Sequence, residues 1–192
     1  MRPFEVNVAD LVQRPGARRR ERLEGRLGDL RVVDSAVPAD AAVSVDALLE
    51  WVTEGVLASG SVAAPWMGDC RRCLGPVVGE VTVDFRELFE ERPREGESYR
   101  LGHDSIDMEP LVREALLLDL PLAPLCSPDC RGLCPTCGAD LNLGPCGCPP
   151  PTADARWAAL DVLKGPSGPL SGQSGPSGPL SGGRREPGAD EE

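Results

Sequence analysis

Along the first half of the chain, apolar residues recur at every second position, the period of a strand with one face buried. Phe4, Val6 and Val8 alternate with Glu5, Asn7 and Ala9. Val43, Val45, Ala47, Leu49 and Trp51 alternate with Ser44, Asp46 and Glu50, and after a break at Gly55 the run from Val56 to Ala64 reads as a returning strand. Val77, Val81, Val83 and Phe85 lie between Glu80, Thr82, Asp84 and Arg86. Short alternating runs joined by turns predict a small antiparallel β-sheet or barrel. Between the first two runs, Asp10-Leu11-Val12 reads as a short helical turn, and Pro15-Gly16 marks the arginine-rich stretch that follows as a loop.

Beyond a charged loop from Arg92 to Glu97 the period lengthens. Leu111, Ala115 and Leu118 fall at helical spacing, with Asp107 placed to cap, Glu109 and Pro110 in the first turn and Pro121 as the stop. A helix over 107–119 packed on the sheet gives an α+β domain across 1–120. A cysteine-rich lobe then occupies 121–164 and ends in a short helix capped by Thr152 or Asp154, on which Trp157, Leu160 and Lys164 share a face. From residue 165 the octapeptide Gly-Pro-Ser-Gly-Pro-Leu-Ser-Gly occurs twice. Such a composition buries too little apolar surface to offset chain entropy, so 165–192 is expected to be a disordered tail.

Charge narrows the partners. The chain has 192 residues and a net charge of −11, and an acidic protein is a poor general ligand for phosphate backbones, which are held by clustered cations. Residues 1–26 are the exception, with seven arginines against four acids. Arg18, Arg19, Arg20 and Arg22 are therefore the candidate RNA contacts there, the competing reading being a solvated loop or strand edge diluted by Glu21 and Glu24. No apolar run reaches the length of a membrane span. The opening residues lack the apolar core of a secretory signal, so the expected location is the cytoplasm, where thiols stay reduced.

Reduced thiols change the meaning of the eight cysteines. Cys70-Arg-Arg-Cys73 and Cys134-Pro-Thr-Cys137-Gly138 are CxxC turns, and Cys126, Cys130, Cys146 and Cys148 complete the set. A CxxC turn aims two sulfurs at one point, and four thiolates make a closed tetrahedral Zn²⁺ site. Cys134, Cys137, Cys146 and Cys148 form a local quartet; Cys70, Cys73, Cys126 and Cys130 form a second that would link the middle of the chain to the later segment. The alternative is one zinc and several unliganded thiols. A redox dithiol fits less well, because neither CxxC opens a helix in a βαβ unit. A structural zinc site contributes on the order of 10 kcal/mol to folding, comparable to the whole stability of a domain. Arg71 and Arg72, between two ligands, are further candidate RNA contacts, or else offset thiolate charge. The single histidine, His103, has no nucleophile or carboxylate cluster in a recognisable motif beside it, and no phosphate-binding or metalloprotease motif is present. A closed zinc site has no open position for water. An enzyme with a small-molecule substrate is not expected.

Cys70-Arg-Arg-Cys73-Leu74, the run from Leu120 to Cys126, Gly132-Leu-Cys134-Pro-Thr-Cys137-Gly138-Ala-Asp-Leu-Asn142 and Cys146-Gly-Cys148 together resemble the YceD family of large ribosomal RNA subunit accumulation proteins, over about 3–164. The resemblance implies a part in the synthesis, processing or stability of large-subunit ribosomal RNA and implies no known reaction. Some members of that family carry only the first CxxC, which makes the later cluster an elaboration. Two roles follow as expectations. One is a non-enzymatic ribosome-biogenesis factor with one or two structural Zn²⁺ ions that contacts large-subunit precursor RNA. The other is an acidic zinc adaptor for a basic ribosomal protein.

Overall fold

The computed structural model describes residues 2–149 together with Arg156, Trp157 and Leu160. Met1–Cys148 forms one compact unit, and Pro149–Glu192 is counted separately. In the second unit Trp157 and Leu160 are exposed; the expected helix around them and the tail at 165–192 lie otherwise outside the described residues.

Among the described residues eight strands and one α-helix follow in order: β1 (Glu5–Asn7), β2 (Arg18–Gly25), β3 (Ser35–Ala36), β4 (Val43–Trp51), β5 (Val56–Asp69), β6 (Pro76–Glu90), β7 (Tyr99–Arg100), β8 (Ser105–Asp107) and α1 (Glu109–Asp119). The main sheet runs β2-β4-β5-β6-β7, with β3 paired to the far part of β5. It is an open sheet, ended by β2 and β7, and not a closed barrel. All its pairings are antiparallel except β6 with β7, where the chain returns through residues 91–98 in the same direction. β1 and β8 make a separate antiparallel pair.

Alternation decides which face is buried. Val43, Val45, Ala47 and Leu49 of β4, with Val56, Ala58 and Val62 of β5 and Val81, Phe85 and Phe89 of β6, form the inner face. Phe4, Val6, Ile106 and Met108 cover it from the small sheet, and α1 covers it with Leu111, Val112 and Leu116. Phe4 and Val8, at the ends of the first alternating run, are fully buried as expected. Leu11 and Val12 donate their N–H groups to the Val8 carbonyl, giving the expected short turn.

Two expectations are corrected. The arginine-rich stretch is not a loop but the strand edge of the competing reading: β2, paired along its whole length with β4 from Arg18↔Glu50 to Gly25↔Val43. Its sequence, Arg-Arg-Arg-Glu-Arg-Leu-Glu-Gly, has almost no apolar residue with which to announce a period. It forms because a sheet edge needs only backbone hydrogen bonds, and charged side chains there also discourage pairing with other chains. The second concerns α1, whose core contacts are Leu111, Val112 and Leu116 while Leu118 is 82% exposed. The helix begins one residue after Met108 with Pro110 in its first turn; Asp107 accepts the Glu109 N–H at 3.0 Å, and Pro121 follows the end. Glu109 also receives Arg113 Nε at 2.9 Å, an i,i+4 pair on the first turns.

Candidate metal centres

β5 and β6, 14 and 15 residues long, carry their connecting turn beyond the other strands. That turn holds Cys70 and Cys73. The segment leaving α1 is pinned to the same region: Ser35 Oγ donates to the Pro121 carbonyl at 2.8 Å, and the Arg71 N–H donates to the Pro124 carbonyl at 3.0 Å. These bonds deliver Cys126 and Cys130. The Sγ atoms of Cys70, Cys73, Cys126 and Cys130 lie within 4.8 Å of one another, and so do those of Cys134, Cys137, Cys146 and Cys148. In the first group Cys70 and Cys130 are 3.8 Å apart, and Cys73 and Cys126 are 3.6 Å apart. Sulfurs at the corners of a tetrahedron around zinc, each about 2.3 Å from the metal, are separated by about 3.8 Å. All eight cysteines are free thiols. The groups fit a tetrahedral thiolate metal, and they are the two quartets expected from spacing.

The two CxxC turns share one backbone design. Leu74 N–H donates to the Cys70 carbonyl at 2.8 Å, and Gly138 N–H to the Cys134 carbonyl at 2.9 Å. In return Cys70 N–H meets the Gly75 carbonyl at 2.8 Å, and Cys134 N–H meets the Ala139 carbonyl at 2.8 Å. Each turn needs a left-handed residue after its second cysteine. Gly138 supplies it at φ 72°, whereas Leu74 adopts φ 59° with a branched side chain.

Hydrogen bonding sets the thiols apart. The backbone of Cys73, then that of Cys126, holds the Cys70 thiol down to about 6. The backbone of Cys137, then that of Thr136, does the same for Cys134, also to about 6. Cys126 is pushed up to about 12, first by its hydrogen bond with Cys130 and next by that with Cys73. Cys148 is pushed up to about 12, chiefly by Cys137. Each group thus has a thiol ready to ligate as thiolate at neutral pH and a thiol that must lose its proton to a metal.

Asn142, the last residue of the motif Gly132–Asn142, joins the groups through a side-chain bond that its place in the sequence did not reveal. It sits between the ligands Cys137 and Cys146 of the second group, yet its Nδ2 donates to Cys130 Sγ of the first at 3.4 Å. That bond is the largest influence holding the Cys130 thiol below its ordinary range. Asn142 Oδ1 accepts the Arg131 N–H at 2.7 Å, and Leu141 N–H donates to the Gly132 carbonyl at 2.9 Å. Gly132, at φ 73°, lies where a Cβ would stand 3.0 Å from the Arg72 carbonyl oxygen. Leu133 N–H donates to that same oxygen at 3.1 Å.

The candidate RNA-contacting arginines fall in two places. Arg18, Arg20 and Arg22 share the exposed face of β2, where Arg18 pairs with Glu50 at 2.8 Å and Arg20 and Arg22 share Asp46 at 2.6 and 3.2 Å. Arg19 points the other way and is held by Asp10 and Glu21. Arg71 and Arg72 lie at the β5–β6 turn; from Ser61, which is level with Arg22 across β4, that turn is on the order of 30 Å along the strand. Arg72 donates to the Pro128 and Cys130 carbonyls at 3.1 and 2.9 Å, tying the first metal group together. Arg71 is exposed. His103 stands on an exposed turn, 3.9 Å from Asp104. Among the described residues, no helix is long and apolar enough to cross a membrane.

Comparison with known proteins places this architecture. An uncharacterized protein of Mycobacterium tuberculosis is 40% identical over 175 residues, covering 85% of this chain and 83% of its own length. One from Mycobacterium leprae is 33% identical over 184 residues, 90% of this chain and 82% of its own. The maize protein named large ribosomal RNA subunit accumulation protein YCED homolog 1, chloroplastic, is 44% identical over 61 residues, 31% of this chain and 20% of its own. No solved structure matches. The model of the family described as large ribosomal RNA subunit accumulation protein YceD matches residues 58–164, from the long hairpin through every cysteine of both groups, and the chain belongs to that family.

Proposed function

We propose that this protein is a non-enzymatic, cytoplasmic ribosome-biogenesis factor that supports accumulation of large-subunit ribosomal RNA, its two Cys₄ groups holding structural Zn²⁺. The observation that carries the metal assignment is the convergence of all eight thiols into two groups of tetrahedral size. With four sulfurs in each group, the metal has no position left for a substrate or water. The ion would be ligated by Cys70, Cys73, Cys126 and Cys130 in one group and by Cys134, Cys137, Cys146 and Cys148 in the other. There it fixes chain segments in place and supplies no reaction step.

RNA contact would fall to Arg18, Arg20 and Arg22 on the sheet edge, with Arg19 at its rear, and to Arg71 and Arg72 at the metal-fixed turn. Exposed ion pairs of the kind that hold Arg20 and Arg22 contribute little to stability, so phosphate can exchange with Asp46 at little cost. The same pairing favours the second reading, an acidic adaptor for a basic ribosomal protein, because it leaves the edge with little net positive field. In-cell ultraviolet cross-linking of the tagged protein separates the two. A discrete footprint on large-subunit precursor RNA, lost on the double substitution Arg20→Ala and Arg22→Ala, supports direct RNA binding at the edge. Cross-linked RNA no higher than in an untagged control removes the RNA reading and leaves the adaptor.

A further inference from the structure

The inner face of β6 carries one residue that does not belong to a core. Val81, Val83, Phe85, Glu87 and Phe89 occupy successive inward positions, and across the sheet Glu87 faces Ala58, itself beside Leu49. Its neighbours along β6 and toward β5 are thus apolar, while Glu97, Ser98 and Tyr99 border it on the other side. Burial, and next the nearby charge of Glu114 on α1, push the Glu87 carboxyl up. Glu114 accepts the Tyr99 hydroxyl at 2.6 Å. Among the described residues no cation pairs with Glu87 or Glu114; Arg113 is engaged by Glu109 and the Gly28 carbonyl, Arg94 by Glu97, and Arg86, which also borders the groove, alternates to the opposite face of β6. Two carboxylates near one another without a cation disfavour each other's charged form.

The acids stand over an open groove of about 380 Å³ between α1, β6 and the chain at 96–99. Val83, Phe85, Leu111, Ala115 and Leu118 supply its apolar lining. Leu118 is 82% exposed, although it lies one heptad from the buried Leu111. An apolar trough with paired carboxylates suits a long cationic side chain, whose methylenes lie along the apolar surface while its head reaches the acids. We propose that this groove binds a lysine- or arginine-bearing segment of a basic polypeptide, with Glu87 and Glu114 clamping the cation and Leu118 covering its stem. A net charge of −11 draws such a partner from a distance. The proposal rests on the adaptor reading for the source of that segment and on the groove alone for its place.

The test is an amide-resolved NMR titration of the full chain with a capped peptide alternating leucine and lysine, beside its glutamate-for-lysine counterpart. Expected are shifts confined to residues 83–87, 97–99 and 111–119 with the lysine peptide and none with the acidic one. Glu87→Gln and Glu114→Gln should each weaken binding about tenfold, and Leu118→Ser severalfold, with the thermal midpoint of Glu87→Gln equal to or above that of the parent. Binding that is unchanged in both Gln variants overturns the groove and leaves the adaptor reading standing. Failure of the lysine peptide to bind anywhere on the folded chain overturns both. Shifts at the same amides on raising protein concentration without peptide would give the groove to a second copy of the chain and also overturn the proposal.

Discussion

The two cysteine groups use the same turn, the same four thiols and the same spread of sulfur positions, yet they do different work in the fold. The first joins Cys70 and Cys73 to Cys126 and Cys130, closing separations of 53 and 60 residues between a sheet hairpin and the chain beyond α1. It is anchored on protein that has its own core. The second gathers Cys134, Cys137, Cys146 and Cys148 within one short segment, in which Leu143 is 89% exposed and only Gly132 and Cys134 are buried. Among the described residues no apolar cluster supports that segment, so a metal held there would stand in for a core, as in small zinc modules. One chemistry would thus serve as a clasp between elements in one case and as the interior of a short segment in the other.

The largest effect expected is metal removal. Native mass spectrometry should find two Zn²⁺ per chain, and stripping them should abolish amide-exchange protection over 126–148 while β4, β5 and β6 keep theirs. Cys146→Ser should lower the count to one and free only 132–148. Cys130→Ser should also lower it to one, but should loosen 122–148 because the clasp is gone. Uniform loss of protection across the sheet in either variant would remove the distinction. Acid should act in the same sense: Cys126 and Cys148 must give up protons from thiols raised to about 12, so metal binding releases protons and apparent affinity falls as pH is lowered. A zinc competition titration between pH 6 and 8 measures it, and an affinity independent of pH would contradict it.

A smaller effect addresses the link between the groups. Asn142→Ala removes the donor to Cys130 Sγ without touching a ligand. Loss of such an outer hydrogen bond typically costs 10–100-fold in metal affinity, on the order seen at other sites. The loss should fall on the first group, although Asn142 lies between ligands of the second. Equal weakening of both, followed by metal-specific exchange, would mean that Asn142 serves the lobe's backbone and not the sulfur.

The smallest concerns the left-handed positions. Gly138→Ala should destabilise by about 1 kcal/mol, since an L side chain at φ 72° is strained. Leu74→Gly relieves the matching strain in the first turn, and its side chain is 66% exposed, so little packing is lost. The thermal midpoint should therefore rise or hold for Leu74→Gly and fall for Gly138→Ala. A fall for both would show that Leu74 contributes contacts worth more than its backbone strain.

Local information was enough for much of this. Alternation at 43–51, 56–64 and 77–85 located the three central strands, and the break at Gly55 located the hairpin between the first two. Cysteine spacing separated the quartets, because Cys134, Cys137, Cys146 and Cys148 are neighbours in sequence and the remaining four, Cys70, Cys73, Cys126 and Cys130, were left to each other. Residues 18–25 were legible as charge but not as strand against loop, since a strand at a solvated edge needs no apolar period. Pairing of Arg20 and Arg22 with Asp46 then followed from register with a strand more than twenty residues away. Leu118 matched a helical stripe, but a helix buries only the part of its face that the sheet reaches. The bond from Asn142 to Cys130 and the meeting of Glu87 with Glu114 likewise depend on which distant elements are packed side by side. Sequence determined the strands, the turns and the ligand chemistry, all set by a few neighbouring residues. Tertiary structure decided which charges are answered and which are left open, because electrostatic partners are chosen by distance in space.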